Sequence, residues 1–347
     1  VGQAAWHKLG KVISAAVTSR EAMHLALLDW IVEQEDIFLA DGTKINGRKA
    51  NVRSDTHGVL GVVGDGYKVF QNAEAFDFMD AIVGEKLAMF ETAGAIKDGK
   101  TIWMLARIPK ELRAAGDDVV NPYVLLTNSH DGTSALRMLP TSVRVVCNNT
   151  LNLALNRGQK MGFTMRHSEK LADRVADAKQ KLGIIVDRVD QFGEEMQALA
   201  SVDLTEQQAK EYFQDLYPIK TDKVLSISEQ AEVLIQDALM DAVLAQTARS
   251  MAKDSVNEAR ERQADRNQKI VEQLIANFHN ERNTLPGIEG TAWAAFNAVS
   301  EYTDHQTTVR GKTDKDRADN RMNSVFFGAA NDQKQVAYEK VLELVKV

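Results

Sequence analysis

Along the first 165 residues, short runs of alternating apolar and polar positions are cut by glycines and Asp-Gly pairs, which predicts strands and hairpins. "DIFLADGTKINGRKANVRSD" (36–55) and "GVLGVVGDGYKVFQN" (58–72) read as a hairpin or meander. "MFETAGAIKDGKTIWMLARIPK" (89–110) is the clearest hairpin, its arms joined at Lys97-Asp98-Gly99-Lys100. "PYVLLTNSHDGTSALRMLPTSVRVVCNNT" (122–150) adds two arms around the polar bend Asn128-Ser129-His130-Asp131-Gly132. Helices interrupt this pattern. "SREAMHLALLDWIVEQ" (19–34) has Ser19 as N-cap and Ala22, Leu25, Leu28 and Ile31 at helical spacing, and "NAEAFDFMDAIVGE" (72–85) opens on an asparagine cap. A further helix is predicted from about Asn149, then a short strand "GFTMRH" (162–167).

From Ser168 the period becomes helical. Leu171, Val175, Ala178, Leu182 and Ile185 mark one face, "LTEQQAKEYFQDLYP" (204–218) is a capped helix stopped by Pro218, and 226–280 is mostly helical. The stretch 253–269 is so polar that it must be solvated, meet a partner, or break. One more amphipathic helix spans 286–306, and a basic, polar loop around "RGKTDKDRADNR" (310–321) leads to a final helix. The expected fold class is α+β. Antiparallel hairpins packed with helices fill 1–167, and 168–347 forms a mostly α-helical region suited to oligomerisation or partner binding.

Composition narrows the class. With 44% hydrophobic and 26% charged residues, the 347-residue chain has enough apolar side chains for a core. A single cysteine, Cys147, excludes an intrachain disulfide framework and a cysteine-based zinc finger, and suits a reducing cytosol. No apolar run reaches the roughly 18–20 residues of a membrane span. The start "VGQAAWHKLGKV" lacks the apolar core of a signal peptide, so a cytoplasmic protein of a bacterial host is expected. The net charge of −7 argues mildly against a generic nucleic-acid coat.

Several blocks in one order resemble a known family. "AWHKLG", "NVRSDTHGVLGVVGDGYKVFQN", "ETAGAIKDGKTIW", "LTNSHDGTSALRMLPTSVRVVCNNTL", "RHSEK" and "TAWAAFNAVSEYTDH" look like the phage/plasmid-like protein family, a domain of unknown function. The resemblance spans about 6 to 330 and implies a protein of phages, plasmids and integrated elements, with no established reaction. Hairpins packed on helices also resemble, in topology alone, the single-strand annealing recombinases of phages.

The candidate chemistry centres on the joint at Cys147. If a helix starts at Asn148, Asn149 and Thr150, its unpaired N–H groups and positive dipole end suit a phosphate. From Ala135 to Lys170 six cations (Arg137, Arg144, Arg157, Lys160, Arg166, Lys170) face one acid, Glu169, and a basic island in an acidic chain is the footprint of backbone phosphate contact. Asn128 and His130 would then approach sugar or base edges, and Trp6, His7, Tyr67 and Phe70 are candidates for stacking on bases. Cys147 with His130 and Asp131 also has the composition of a nucleophile, base and orienter, but "VVC" reads as the inward end of a strand with no oxyanion motif beside it, and core packing is the better reading. His130, Asp131 and His167 lack tight metal-ligand spacing, and "GVVGDG" (61–66) lacks the order and lysine of a phosphate loop, so neither metal nor cofactor is expected. The leading reading is a homo-oligomeric, non-enzymatic binder of single-stranded nucleic acid. The alternatives are a module that captures a host defence or replication protein, and a Cys/His-dependent enzyme on nucleic acid or nucleotides.

Overall fold

A computed structural model describes residues 11–12, 18–83, 89–134, 136–147, 149–152, 163–165, 171–219 and 242–345. In chain order, β1 (Lys11–Val12) and α1 (Ser19–Leu25) precede a meander of β2 (Val32–Phe38), β3 (Lys44–Arg53) and β4 (Val59–Gly64). Helix α2 (Asn72–Val83) leads to β5 (Met89–Ile96), β6 (Thr101–Arg107), β7 (Leu112–Arg113), β8 (Val119–Ser129), β9 (Leu136–Arg144), β10 (Thr150–Asn152) and β11 (Phe163–Met165). The rest is helical: α3 (Leu171–Ala200), α4 (Glu206–Leu216), α5 (Ala242–Phe278), α6 (Ala292–Glu301), α7 (Asp314–Phe327) and α8 (Ala329–Glu343). The fold is α+β, as the change of period at 168 predicts.

The large sheet runs β1-β5-β6-β8-β9-β10, with β7 on β8 and β11 on β9, every pair antiparallel. Alternation along its strands gives two apolar faces. Ile102, Met104, Ala106, Val124, Leu126 and Met138 pack in one core with Leu182, Ile185 and Phe192 of α3 and Trp293 and Phe296 of α6. On the other face Trp103, Leu105, Tyr123, Leu125, Leu139 and Val143 meet Met322, Val325 and Phe326 of α7. Side chains from both halves of the chain therefore share each core.

Three local expectations change. The helix predicted over 19–34 stops after α1, because Leu27 turns left-handed (φ 58°). The amides of Leu27 and Leu28 return to the carbonyls of His24 and Met23, a Schellman ending. Asn72 Nδ2 then holds the Leu28 and Trp30 carbonyls, so a tertiary contact overrides helical spacing and frees β2 to start at Val32. The loop expected over 310–321 is largely the first half of α7, capped by Thr313 in a capping box with Asp316. Asp319 of α7 accepts from the Lys97 amide at 2.8 Å, and Lys315 pairs with Asp98, pinning the helix on the β5–β6 turn. The helix expected from Asn149 is a strand, considered below.

The meander rests on the β8–β9 bend through Gly61, where an added Cβ would lie 2.6 Å from the Asp131 Cα. That neighbour is backbone and cannot yield cheaply. Gly61→Val is expected to lower stability by about 1–3 kcal/mol in thermal or urea denaturation. An unchanged melt would show that the two sheets do not approach so closely.

Candidate functional site

Strand β9 ends at Arg144, and the side chain points into the core with 2% of its surface exposed. Its Nε donates to Asp118 Oδ1, one terminal nitrogen donates to Asn283 Oδ1, and the other donates to the Arg282 carbonyl, each at 2.7 Å. Asp118 Oδ2 accepts from the indole N–H of Trp293 at 2.6 Å. A rigid, planar fork suits such a many-sided site, since each donor has a fixed direction. The cation predicted to touch phosphate is thus fully engaged inside the fold.

After Arg144 the chain bends through Val145–Cys147 and returns as β10, with Thr150 opposite Val143 and Asn152 opposite Thr141. Thr150–Asn152 is a strand, so the helix expected from about Asn149 is corrected to an antiparallel return on β9. Asparagine serves turns and caps equally, and distant partners decide between them. Asn149 Nδ2 donates to the Asn297 carbonyl at 3.3 Å, and the Thr150 amide donates to Asp304 Oδ2 at 2.7 Å. Lys334 Nζ donates to Asp304 Oδ1 and to the Thr150 carbonyl, both at 2.5 Å. Asn152 Nδ2 reaches the Phe326 carbonyl at 2.7 Å. Lys334 and Asp304 are fully buried, and burial pulls the ammonium below its usual range while Asp304 opposes the shift. Asp304 sits in a π-helical turn, Tyr302–Gln306, that follows α6.

The Cys147 thiol is buried beside this joint, 3.7 Å from the Arg144 guanidinium. Burial pushes it from an ordinary 9.0 to about 11, the nearby guanidinium offsetting only part of that. At neutral pH it is a thiol, not a thiolate.

The polar bend forms a second joint. Asn128 Nδ2 donates to the Phe70 carbonyl at 2.9 Å, His130 Nε2 lies 2.8 Å from Asn72 Oδ1, and Asn51 Nδ2 donates to the His130 carbonyl at 2.7 Å. The Trp30 ring meets the fully buried His130 ring edge-on at 5.4 Å. Asp131 accepts from the Thr133 amide at 2.9 Å and from the Ser129 hydroxyl. Burial works to raise its carboxyl, but the Ser129 and Thr133 hydrogen bonds win and hold it low.

These placements separate what the sequence groups. His130 and Asp131 follow β8's end, whereas Val120, near its start, pairs with Arg144. About ten residues of strand at ~3.3 Å each put Cys147 some 30 Å from His130, so the three do not form a nucleophile–base–orienter set. Phe70 is buried and Tyr67 donates its hydroxyl to the Ser129 carbonyl at 3.2 Å, so neither is free to stack on a base. Arg137 is half-buried on β9, opposite Thr127 and Thr164. Asn148, Arg157, Lys160, Arg166, His167, Trp6 and His7 lie outside the described residues. Among the described residues, no group of three or more His, Cys, Asp or Glu side chains is placed to hold a metal ion. No helix of the described residues is long and apolar enough to cross a membrane.

The two joints bring together the blocks that carry the family resemblance: 51–72 meets 126–133, and 142–152 meets 291–305. The family described as "Domain of unknown function (DUF932)" matches residues 59–326. The chain belongs to this family. It is also similar to two proteins of Escherichia coli (strain K12), UPF0380 protein YafZ and UPF0380 protein YfjQ, at 33% and 32% identity over 95 residues. Each match covers 27% of this chain and 33% of the relative, so the chain spans about a third of the length of the curated relatives it matches. No solved structure matches the chain.

Sequence reasoning missed Asp118, Asn283, Asp304 and Lys334, which no local spacing links to β9 or β10. The block "TAWAAFNAVSEYTDH" was the available signal, since it carries Trp293, Asn297 and Asp304.

The thiol supplies a direct check. Native protein is expected to react with iodoacetamide far more slowly at mildly alkaline pH than the same protein in denaturant. Because the folded state holds the Cys147 proton to higher pH than the unfolded state, this group's contribution to stability falls as pH rises from 9.0 to about 11. Fast native labelling would contradict the burial.

Proposed function

We propose that this DUF932-family chain is a mobile-element protein that binds single-stranded nucleic acid without catalysing a reaction on it, to protect, pair or recombine it. One observation carries the reading: six cations and one acid between Ala135 and Lys170, in a chain of net charge −7. Such local excess supports phosphate contact, and the condensed counterions it displaces make binding salt-dependent. The buried pairing of Arg144 with Asp118 removes that cation from the interface. Phosphate contact is therefore assigned to Arg137, Arg157, Lys160 and Arg166. Asn128, His130, Asn149 and Thr150, which are buried and each hydrogen-bonded within the fold, are not given ligand roles. The mobile-element setting rests on the resemblance of the ordered blocks to the phage/plasmid-like family.

Fluorescence anisotropy with labelled single- and double-stranded oligonucleotides, titrated across salt, tests this. The expectation is single-strand binding that weakens steeply with salt and falls roughly tenfold or more in Arg137→Glu/Arg157→Glu. Absence of binding at low salt, or equal affinity in the charge-reversed protein, would overturn it.

A further inference from the structure

Strand β3 leaves both of its ladders for part of its length. It pairs with β2 at Lys44 and again from Lys49, and with β4 from Arg48 onward, so neither register gives Ile45, Asn46 or Gly47 a partner. On β2, Ile37 alone stands between the partners of Lys44 and Lys49. Surplus residues on one strand drop out of the ladder and bend it. Gly47 sits there at a left-handed φ of 73°, and a Cβ built on it would meet nothing within 4 Å. Asn46, Gly47 and Arg48 are all exposed.

Asn46 is also the one asparagine of the chain that a glycine follows. An asparagine side chain can close a succinimide ring with the backbone nitrogen of the next residue, and two things ordinarily hinder it. The next side chain crowds the approach, and a ladder hydrogen bond holds the nitrogen in place. Glycine removes the first hindrance and the bulge removes the second. Asparagines at the joints of the sheets are held fast instead. Asn51, Asn72 and Asn128 are buried, and their amides donate to the carbonyls of His130, Leu28 and Phe70. Asp41 and Gly42, in the turn of the same hairpin, are a poorer pair for the same ring. The amide and hydroxyl of Thr43 hold the Asp41 carboxyl below its usual range, and an ionised carboxylate has no good leaving group.

We propose that Asn46 is a site of spontaneous deamidation in the folded protein. The Gly47 nitrogen bonds to the Asn46 Cγ, its proton passes through water to Nδ2, the Cγ–Nδ2 bond breaks, and ammonia leaves. Water then adds to one of the two ring carbonyls and reopens the succinimide. Opening at one carbonyl leaves aspartate, and opening at the other leaves isoaspartate, with the chain running through Cγ. Water is the only co-reactant, and nothing is oxidised or reduced. Either product puts a carboxylate two residues from exposed Arg48, and the isoaspartate adds an atom to the backbone of the bulge. The site lies in the N-terminal meander and is independent of the nucleic-acid reading.

Peptide mapping by mass spectrometry is the test, on the full chain held in mildly alkaline buffer and sampled over days. A zero-time digest subtracts conversion during handling. The Asn46 amide is expected to become an acid in two chromatographically separate forms, aspartate and isoaspartate. Its native rate is expected to stay within about tenfold of the rate in urea, because the bulge leaves ring closure open. Asn51, Asn72 and Asn128 are expected to remain intact in the native protein. Gly47→Ala is expected to slow conversion roughly tenfold or more, since a Cβ then crowds the attacking nitrogen. That variant is compared with wild type in urea, where no fold can be lost. Native conversion more than about tenfold slower than in urea, equal rates in Gly47→Ala and wild type, or aspartate without isoaspartate would overturn the proposal.

Discussion

The buried pairing of Arg144 with Asp118 is the constraint on which the rest of the molecule depends. Taking both charges out of water costs several kcal/mol per ion, recovered only when geometry is good and every remaining donor is met. Here Asp118, Asn283, the Arg282 carbonyl and Trp293 together meet that condition. These groups come from the residue before β8, the end of β9, the loop after α5 and the first turn of α6. The end of β9 is therefore fully paired only with the C-terminal helices beside it. Lys334 and Asp304 impose the same condition on β10 from α8 and the π-helical turn.

This changes how the most suggestive stretch of the chain is understood. Arg144, Asn149 and Thr150 have the composition of a phosphate cradle, yet Arg144 meets Asp118 and Asn283, and Asn149 and Thr150 meet Asn297 and Asp304 about 150 residues later. The same burial that satisfies Arg144 keeps Cys147 protonated. The stretch is a joint between the sheet and the helices, and the proposed phosphate contact rests instead on the other cations of the basic island.

The legible parts of the fold were those set by local chemistry. Alternation and turn residues located the β5–β6 and β8–β9 hairpins and the meander, because a hairpin needs only its own two arms and its turn. Thr205 with Gln208 marked α4 through a capping box written within four residues. The failures share one cause. Leu25, Leu28 and Ile31 keep helical spacing across a boundary that the distant Asn72 enforces. Asn149 and Thr150 suit a cap or a turn, and Asn297 and Asp304, about 150 residues away, choose the turn. Arg144 looked like a surface cation because nothing near it in sequence announces Asp118, 26 residues earlier, or Asn283, 139 residues later.

A double-mutant cycle on Asp118→Asn and Arg144→Met, followed by equilibrium urea denaturation, tests the central claim most directly. Each single change should cost about 3–5 kcal/mol, because it strands a buried partner. The double variant should cost less than the sum by about 2 kcal/mol or more, since nothing charged is then left uncompensated. Additive costs, or single variants that unfold like wild type, would show that Arg144 does not hold the sheet to its helices.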